Sequence, residues 1–511
     1  MLAMAQHEHP VFKCWRVQLL RPWSFKITIR RGGRIAVYLQ IAHALIEEIR
    51  RGRLAPGNAL PGTRELADSL DINRKTVVEA YDELAAQGWV KTDRTRGTFV
   101  SSELPVLEEK NGTLRKPPPA RMPDRPDYRL VGTAPNIPAF LPEKDLLIFD
   151  DGAPDTRQVP VAALARAYRS ALTLLAQRNR LGYGDPRGAL ALREAVSTML
   201  NVDRGLSTTP DNICLTRGSQ MAIYLTTRIL AGPRDCVAME ELSYPPARES
   251  FRAAGAEVLS IGLDESGMRI DELEETCRKK RVRAVYVTPH HQFPTTVLLK
   301  PDRRLRLLAL AEQFGFAVVE DDYDHEFHFV HRPMLPLASF DPWGKVVYIG
   351  SMSKLLTPSL RLGYIAAPKS FVDRAAAEIM MIDRQGDPAT ELAVAQLIAD
   401  GEIHRHTRKA MRLYTERRLR METLLAERFG GRVEFTLPDG GLAIWMKFTE
   451  KVDMEGLVRT ARAKGVMILP GNAFTISGRS IRATRLGFAS MNAAELDSAT
   501  RRLRQALGAV A

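Results

Sequence analysis

Residues 346–364 open with an apolar run, Val346–Ile349, that leads into Gly350-Ser351-Met352-Ser353-Lys354-Leu355-Leu356-Thr357-Pro358-Ser359-Leu360-Arg361-Leu362-Gly363-Tyr364. A lysine among small hydroxyl residues, with an arginine a few positions on, suits an aldehyde that also carries a phosphate. The amine forms an imine, and the hydroxyls and guanidinium hold the phosphate. Ser353 has a plainer reading, as a position that needs only a small residue. A second apolar run, Ala317–Glu320, ends in Asp321-Asp322-Tyr323-Asp324. An acid buried there would pair with a protonated pyridine nitrogen, and that charge makes the ring an electron sink. Asp322 and Asp324 are expected to be solvated or capping acids, and His290, His291 and Gln292 to shape the pocket rather than move protons.

Such residues need a scaffold. Short apolar stretches at Ile213–Thr216, Cys236–Met239, Glu257–Ile261, Ala284–Thr288, Ala317–Glu320, Val346–Ile349 and Gly363–Ala366 alternate with helical patterns. Strands spaced by helices predict a mostly parallel sheet covered on both faces, with the ligand beyond the strand ends. No repeat of 20–50 residues is present.

Upstream the pattern differs. Ile35, Leu39, Ala42, Ile46 and Ile49 recur at helical steps and stop at Arg51-Gly52-Arg53. Thr63 is placed to cap a second helix through Leu70, with Glu65 in its first turn. Asp71-Ile72-Asn73 is a short turn, and a third helix over about 74–87 buries Val77, Tyr81 and Leu84. Gly88-Trp89-Val90 then opens an extended stretch that turns near 93–96 and returns through Gly97-Thr98-Phe99-Val100. Three helices and a hairpin in this order predict a winged helix-turn-helix, whose third helix enters the DNA major groove by its N-terminal end. Asn73, Arg74, Lys75 and Thr76 would then face bases, Arg64 would grip phosphate, and Arg96 with Gly97 at the hairpin tip would reach the backbone or minor groove. Taken singly, each of these is better read as a solvated surface residue; the ordered set points to DNA.

Composition fits this division. Of the net charge of +13 over 511 residues, an excess of 6 falls in the first 100, where 16 Lys and Arg meet 10 Asp and Glu. A basic front end suits a polyanion. The four cysteines, Cys14, Cys214, Cys236 and Cys277, have no metal-ligand or disulfide spacing, so no metal is expected and a reducing cytoplasm is the simplest home. No apolar run reaches membrane-spanning length, and no membrane partner is expected. Residues 1–33 are expected to be a disordered extension, 34–101 the DNA-binding domain, 102–147 a proline-rich tether and 148–511 the cofactor domain.

Residues 34–101, with LPGTRELADSLDINRKTVVEAYDELAAQGWV and RGTFV, resemble the GntR-family DNA-binding domain; Asp71 stands where glycine is usual. From about Phe149 to Gly487 the chain resembles fold-type I aminotransferases, and specifically the MocR/GabR regulators. The carriers are YGDPRG (Tyr183–Gly188), TRGSQMA (Thr216–Ala222), YVTPHHQFPT (Tyr286–Thr295), VVEDDYDHEF (Val318–Phe327), the lysine segment and RLGF (Arg485–Phe488). The resemblance implies a multidomain α/β chain: a winged helix-turn-helix joined to an aspartate-aminotransferase-like three-layer α/β/α domain with a smaller α/β subdomain. It implies pyridoxal 5'-phosphate as cofactor, with Lys354 forming the internal aldimine. Asp321 would meet the pyridine nitrogen, Tyr323 the ring 3-oxygen and Tyr244 the ring face. Gly218, Ser219 and Gln220 would open a helix on the phosphate, helped by Ser351 and Arg361. Tyr183 would reach the other subunit's cofactor in a homodimer, and Arg485 would hold a substrate or effector carboxylate.

Leu242 stands where the family has proline, Thr296 where it has glycine, and Phe293 where catalytic aminotransferases have a ring-oxygen asparagine. Pro246 replaces the arginine of the GABA-responsive relative, so a GABA-type effector is not expected. The leading reading is a transcription regulator that binds operator DNA and senses an amino compound or the cofactor itself. The alternative is a working aminotransferase with a fused DNA-binding head. A third reading makes the aminotransferase-like part a dimerising scaffold, against which the retained cofactor residues weigh.

Overall fold

Apolar residues at three- and four-residue steps make the first helix, α1 (Val37–Arg50), amphipathic; Ile41, Ala42, Leu45, Ile46 and Ile49 are its buried face. The helix starts after Ile35, which is exposed, and Leu39 is half-buried, so the inward stripe lies further along than the sequence periodicity placed it. This is a computed structural model, and it describes residues 27–32, 35–93, 95–105, 124–126, 128–130, 137, 143–330 and 334–510. The expectations for a disordered 1–33 and a tether over 102–147 fall mostly outside those residues. The chain divides into two units, Met1–Leu130 and Val131–Ala511. Among the described residues no helix is long and apolar enough to cross a membrane.

In the first unit α2 (Thr63–Leu70) and α3 (Arg74–Ala86) follow α1, with Asp71 between them at φ 51. That left-handed turn is where glycine costs least, and an aspartate tolerates it better than most residues. Thr63 does not cap α2: Gly62 holds the cap position, no side chain caps the helix, and the Thr63 hydroxyl accepts from Arg74 Nε at 3.2 Å. Val77, Tyr81 and Leu84 are buried from α3 against α1, and Trp89 closes that core. Strands β1 (Val90–Asp93) and β2 (Gly97–Val100) pair antiparallel, Val90 opposite Val100 and Asp93 opposite Gly97. Asp93 shapes their turn, its Oδ1 accepting from the Thr95 and Arg96 amides at 2.8 and 3.0 Å.

The second unit is built on a seven-stranded sheet. From edge to edge its strands are Ile213–Thr216, Gly363–Ala366, Val346–Ser351, Ala317–Asp322, Val282–Val287, Cys236–Glu240 and Glu257–Ile261. Only Gly363–Ala366 runs antiparallel to its neighbours. Successive residues serve opposite faces, as strand geometry requires. Tyr348 and Tyr364 pack with helices Val161–Gln177 and Leu190–Arg204, while Val347, Ile349 and Ile365 pack with Ser219–Leu230 and Pro245–Ala253. Helices cover both faces, and every inner strand edge is paired by a neighbour, which leaves only the two outermost edges. A smaller antiparallel sheet, Val433–Phe435, Ala443–Phe448 and Ala483–Gly487, shares a core with the helices Glu402–Phe429, Met454–Ala463 and Ala493–Val510.

Candidate cofactor site and DNA-reading face

Strand register sets the site. Ser351 lies opposite Gly363, and Gly363 opposite Thr216, so three strand ends form one row. Just past Thr216, Gly218 caps the helix Ser219–Leu230 at φ 78, and the first-turn amides of Ser219 and Gln220 have no partner within the helix. A Cβ on Gly218 would sit 2.9 Å from Arg361 Nη2, and one on Gly363 would sit 2.7 Å from Gly218 C and Ser219 N. Only hydrogen at these two positions lets turn, strand and guanidinium close up. Arg361, itself left-handed at φ 50, donates from Nη2 to Arg217 O at 3.0 Å. Ser351 Oγ accepts from the Ser353 amide at 3.2 Å. Among the described residues the buried Gln220 Oε1 has no hydrogen-bond partner. Amides, a guanidinium and hydroxyls converging at a helix N-terminus make an anion cradle.

Lys354 lies in the turn after Val346–Ser351. Its Nζ donates to Gly152 O at 2.7 Å and stands 4.8 Å from the centre of the Tyr323 ring. Gly152 belongs to a segment with no motif that would have announced this contact. Asp321 ends the central strand, buried, its Oδ2 accepting from the Tyr286 hydroxyl at 2.6 Å. Its other oxygen has no partner among the described residues. Burial pushes the Asp321 carboxyl up to about 7, against the pull of the Tyr286 hydrogen bond and the charge of Lys354. A buried acid with an unpartnered oxygen fits a protonated ring nitrogen. Lysine, acid and anion cradle together therefore fit pyridoxal phosphate.

Tyr323 donates its hydroxyl to His291 O at 2.8 Å and receives Arg485 Nη2 at 3.4 Å. Arg485 comes from the smaller sheet, opposite Trp445, and is almost wholly buried. Its Nη1 donates to Pro294 O at 2.6 Å and its Nε to Asp151 O at 3.1 Å, with the guanidinium 4.6 Å from the centre of the Phe293 ring. Tyr244 meets Phe293 edge-on at 5.1 Å. Thr296, at φ 64, occupies the left-handed region that its family position normally gives to glycine. The structure does not bring Tyr183 to this site: it is 80% exposed, with Arg384 4.9 Å from the centre of its ring.

The two remaining acids correct the expectation of solvated or capping roles. Asp322 and Asp324 are both buried. Asp322 accepts from the Tyr348 hydroxyl at 2.5 Å and lies among His290, His325 and Arg204; Asp324 pairs with His291 at 2.7 Å. Although burial alone would raise it, His290 and His325 hold the Asp322 carboxyl well below the ordinary range. Gln292 donates to Leu242 O and Phe293 O at 2.6 and 2.7 Å, a purely structural use.

In the first unit Arg64, Asn73, Arg74, Lys75 and Arg96 are exposed, and Thr76 is half-buried. Asn73 caps α3, its Oδ1 accepting from the Lys75 amide at 2.8 Å, so half of its side-chain amide is already committed. Arg96 lies 5.5 Å from the centre of the Phe99 ring, and Gly97 takes φ 105.

Residues 144–503 match the family described as aminotransferase class I and II, and residues 37–100 match the bacterial regulatory proteins of the gntR family. The HTH-type transcriptional regulator TauR of Rhodobacter capsulatus is 31% identical over 93% of this chain and 97% of its own length. The probable rhizopine catabolism regulatory protein MocR of Rhizobium meliloti is 27% identical over 94% of this chain and 95% of its own. Among solved structures, LysN, an α-aminoadipate aminotransferase from Thermus thermophilus complexed with N-(5'-phosphopyridoxyl)-L-leucine, superposes with a TM-score of 0.67. It is 28% identical and covers 72% of this chain and 93% of its own. With both halves matched and the geometry of the lysine cleft beside them, the chain belongs to the MocR-type transcription regulators, which join a gntR-family DNA-binding domain to a pyridoxal-phosphate-dependent, aminotransferase class I and II domain.

Proposed function

We propose that this regulator senses an amino compound, or pyridoxal phosphate itself, at the cleft of Lys354, and that occupancy sets how two copies of the chain present their DNA-binding heads. The observation that carries the reading is the partnerless oxygen of buried Asp321, a carboxyl within reach of the Lys354 charge. The cofactor, when bound, supplies an electrophilic carbon and an electron-withdrawing ring. Lys354 offers an amine to that carbon. Asp321 Oδ1 would accept the ring N–H, Tyr323 would meet the ring oxygen, and Tyr244 would cover the ring face. The amides of Ser219 and Gln220, with Ser351 and Arg361, would hold the phosphate, while Gly218, whose own amide donates to Thr216 O, lets the guanidinium close on the helix end. An amine bound there would compete with Lys354 for that carbon, and Arg485 would be available to its carboxylate.

Two copies are part of the proposal. Leu181, Tyr183, Met380, Met381 and Ile382 are exposed apolar side chains, and the Gly184 amide donates to Gln385, so both groups share one face. A patch of this kind suits a second copy of the chain, in which Tyr183 would serve the neighbour's phosphate. Arg64, Asn73, Arg74, Lys75, Thr76, Arg96 and Gly97 would contact the operator, with 102–147 as the tether. Lys354→Ala tests the reading. We expect the cofactor's visible absorption band to vanish, and the ligand dependence of operator affinity to vanish with it. Steady turnover in the common enzyme range of about 1–1000 per second, with DNA affinity indifferent to ligand and cofactor, would overturn it in favour of a working aminotransferase.

A further inference from the structure

Behind the Asp321 strand end lies a second cluster that cofactor binding leaves unused. His290 comes from the loop after Val282–Val287; Asp322 and His325 come from the end of Ala317–Asp322 and the turn beyond it. All three are buried, and one ligand atom of each lies within 4.8 Å of the others. His290 Nδ1 is 3.5 Å from Asp322 Oδ1, and His325 Nδ1 is 2.9 Å from Asp322 Oδ2. Yet His290 Nδ1, His325 Nδ1 and Asp322 Oδ1 have no hydrogen-bond partner among the described residues. With both imidazoles neutral, the two Nδ1 atoms and the Asp322 carboxylate are three lone-pair donors facing one another. Ligands about 2.0–2.1 Å from a tetrahedral ion stand roughly 3.3 Å apart, so small side-chain rotations complete the set.

The surroundings match a ligand set as well. His290 directs Nε2 to Met334 O at 2.5 Å, which places the proton there and leaves Nδ1 as the lone pair; metal-binding histidines are held in this way. The Tyr348 hydroxyl holds the other oxygen of Asp322 at 2.5 Å. Arg204 approaches that same oxygen at 3.8 Å, but its guanidinium is paired with Glu326, so Asp322 keeps charge for a cation. His328 lies alongside, its ring centre 5.8 Å from that of His325, with a buried Nε2 that has no partner among the described residues.

We propose that His290, Asp322 and His325 bind one divalent transition metal ion, zinc being the best fit to two imidazoles and a carboxylate. The ion joins the loop that carries His291 to the turn that carries Tyr323, and so braces the cleft from behind. The absence of a metal signature in the cysteine spacing has no bearing on it, because the ligands are histidines that only the fold assembles.

The test uses full-length protein loaded with pyridoxal phosphate, stripped with a chelator, re-exposed to Zn2+ and desalted, with bound metal counted by mass spectrometry. About one zinc per chain is expected for the wild type, and near none for His325→Asn and His290→Asn. Both variants should keep the cofactor absorption band, and His404→Asn, an exposed histidine elsewhere, should keep the metal. A wild type that retains no zinc, or zinc retained by both variants, overturns the proposal. If neither variant folds, Co2+ added to the stripped wild type decides: intense visible bands of a four-coordinate ion support the site, and their absence refutes it.

Discussion

Several buried carboxyls sit at the strand ends of the larger unit. Burial lifts Asp321 and Glu320 to about 7 and Glu240 to about 8. In the unfolded chain such groups titrate near 4. These three groups therefore hold extra protons in the folded, cofactor-free protein between about pH 4 and 7, and their contribution to stability falls as pH rises through that window, while His290 and His328, held down at about 3 by burial, oppose it. Asp321→Asn removes one of these groups. We expect the variant's denaturant midpoint to decline less steeply between pH 5 and 7 than the wild type's; parallel declines would mean that Asp321 carries a charge in the empty fold. Lys354 and Asp321 were legible as chemistry because each follows an apolar run and has the right neighbours. Asp322 and Asp324 were not, because a polar run after a strand looks like a surface loop. The facing histidines that bury them lie more than 30 residues away or share the same run.

Helix ends carry the next level of detail. Asn73→Ala should cost α3 about 1 kcal/mol, because the Lys75 amide loses its acceptor. Amide hydrogen exchange in the first turn of α3 should quicken roughly fivefold, while Asn73→Ser should stay near wild type. Equal exchange in Ala and Ser variants would show that the cap bond contributes nothing. The strands of the main sheet were readable to within about two residues, since continuous apolar runs between helices leave few alternatives. Helix starts were less so. Ile35 belongs to the apolar period but lies outside α1, and Thr63 has a capping side chain that Arg74 engages instead. Period and propensity do not decide which neighbour wins a hydrogen bond.

Across the whole molecule, charge and motif order told the division of labour, because each unit's motifs are local in sequence. The contributions of two arginines to DNA binding should separate cleanly. Arg64→Ala should weaken binding to all sequences alike and lower the salt dependence by about one counterion. Arg74→Ala should cost about 1–3 kcal/mol at one base pair and relax the preference there. Competition binding at several salt concentrations reads both effects; a sequence-specific loss from Arg64→Ala, or a uniform one from Arg74→Ala, would reverse the assigned roles. What the sequence left hidden at this scale was the assembly of His290, Asp322 and His325, which depends on two parallel strands lying side by side.

The Asn73 cap also bears on how such a regulator acquires new targets. A residue that closes a helix and, in the proposed DNA-bound arrangement, faces the groove is not free to drift. Serine and aspartate cap about as well as asparagine, but aspartate would set a negative charge towards the phosphates. Positions 74 and 75 have no capping duty. Divergence to a new operator therefore has an easy first step at those two positions and, serine apart, a steep one at 73, and a duplicated copy of this gene should record that order in its substitutions.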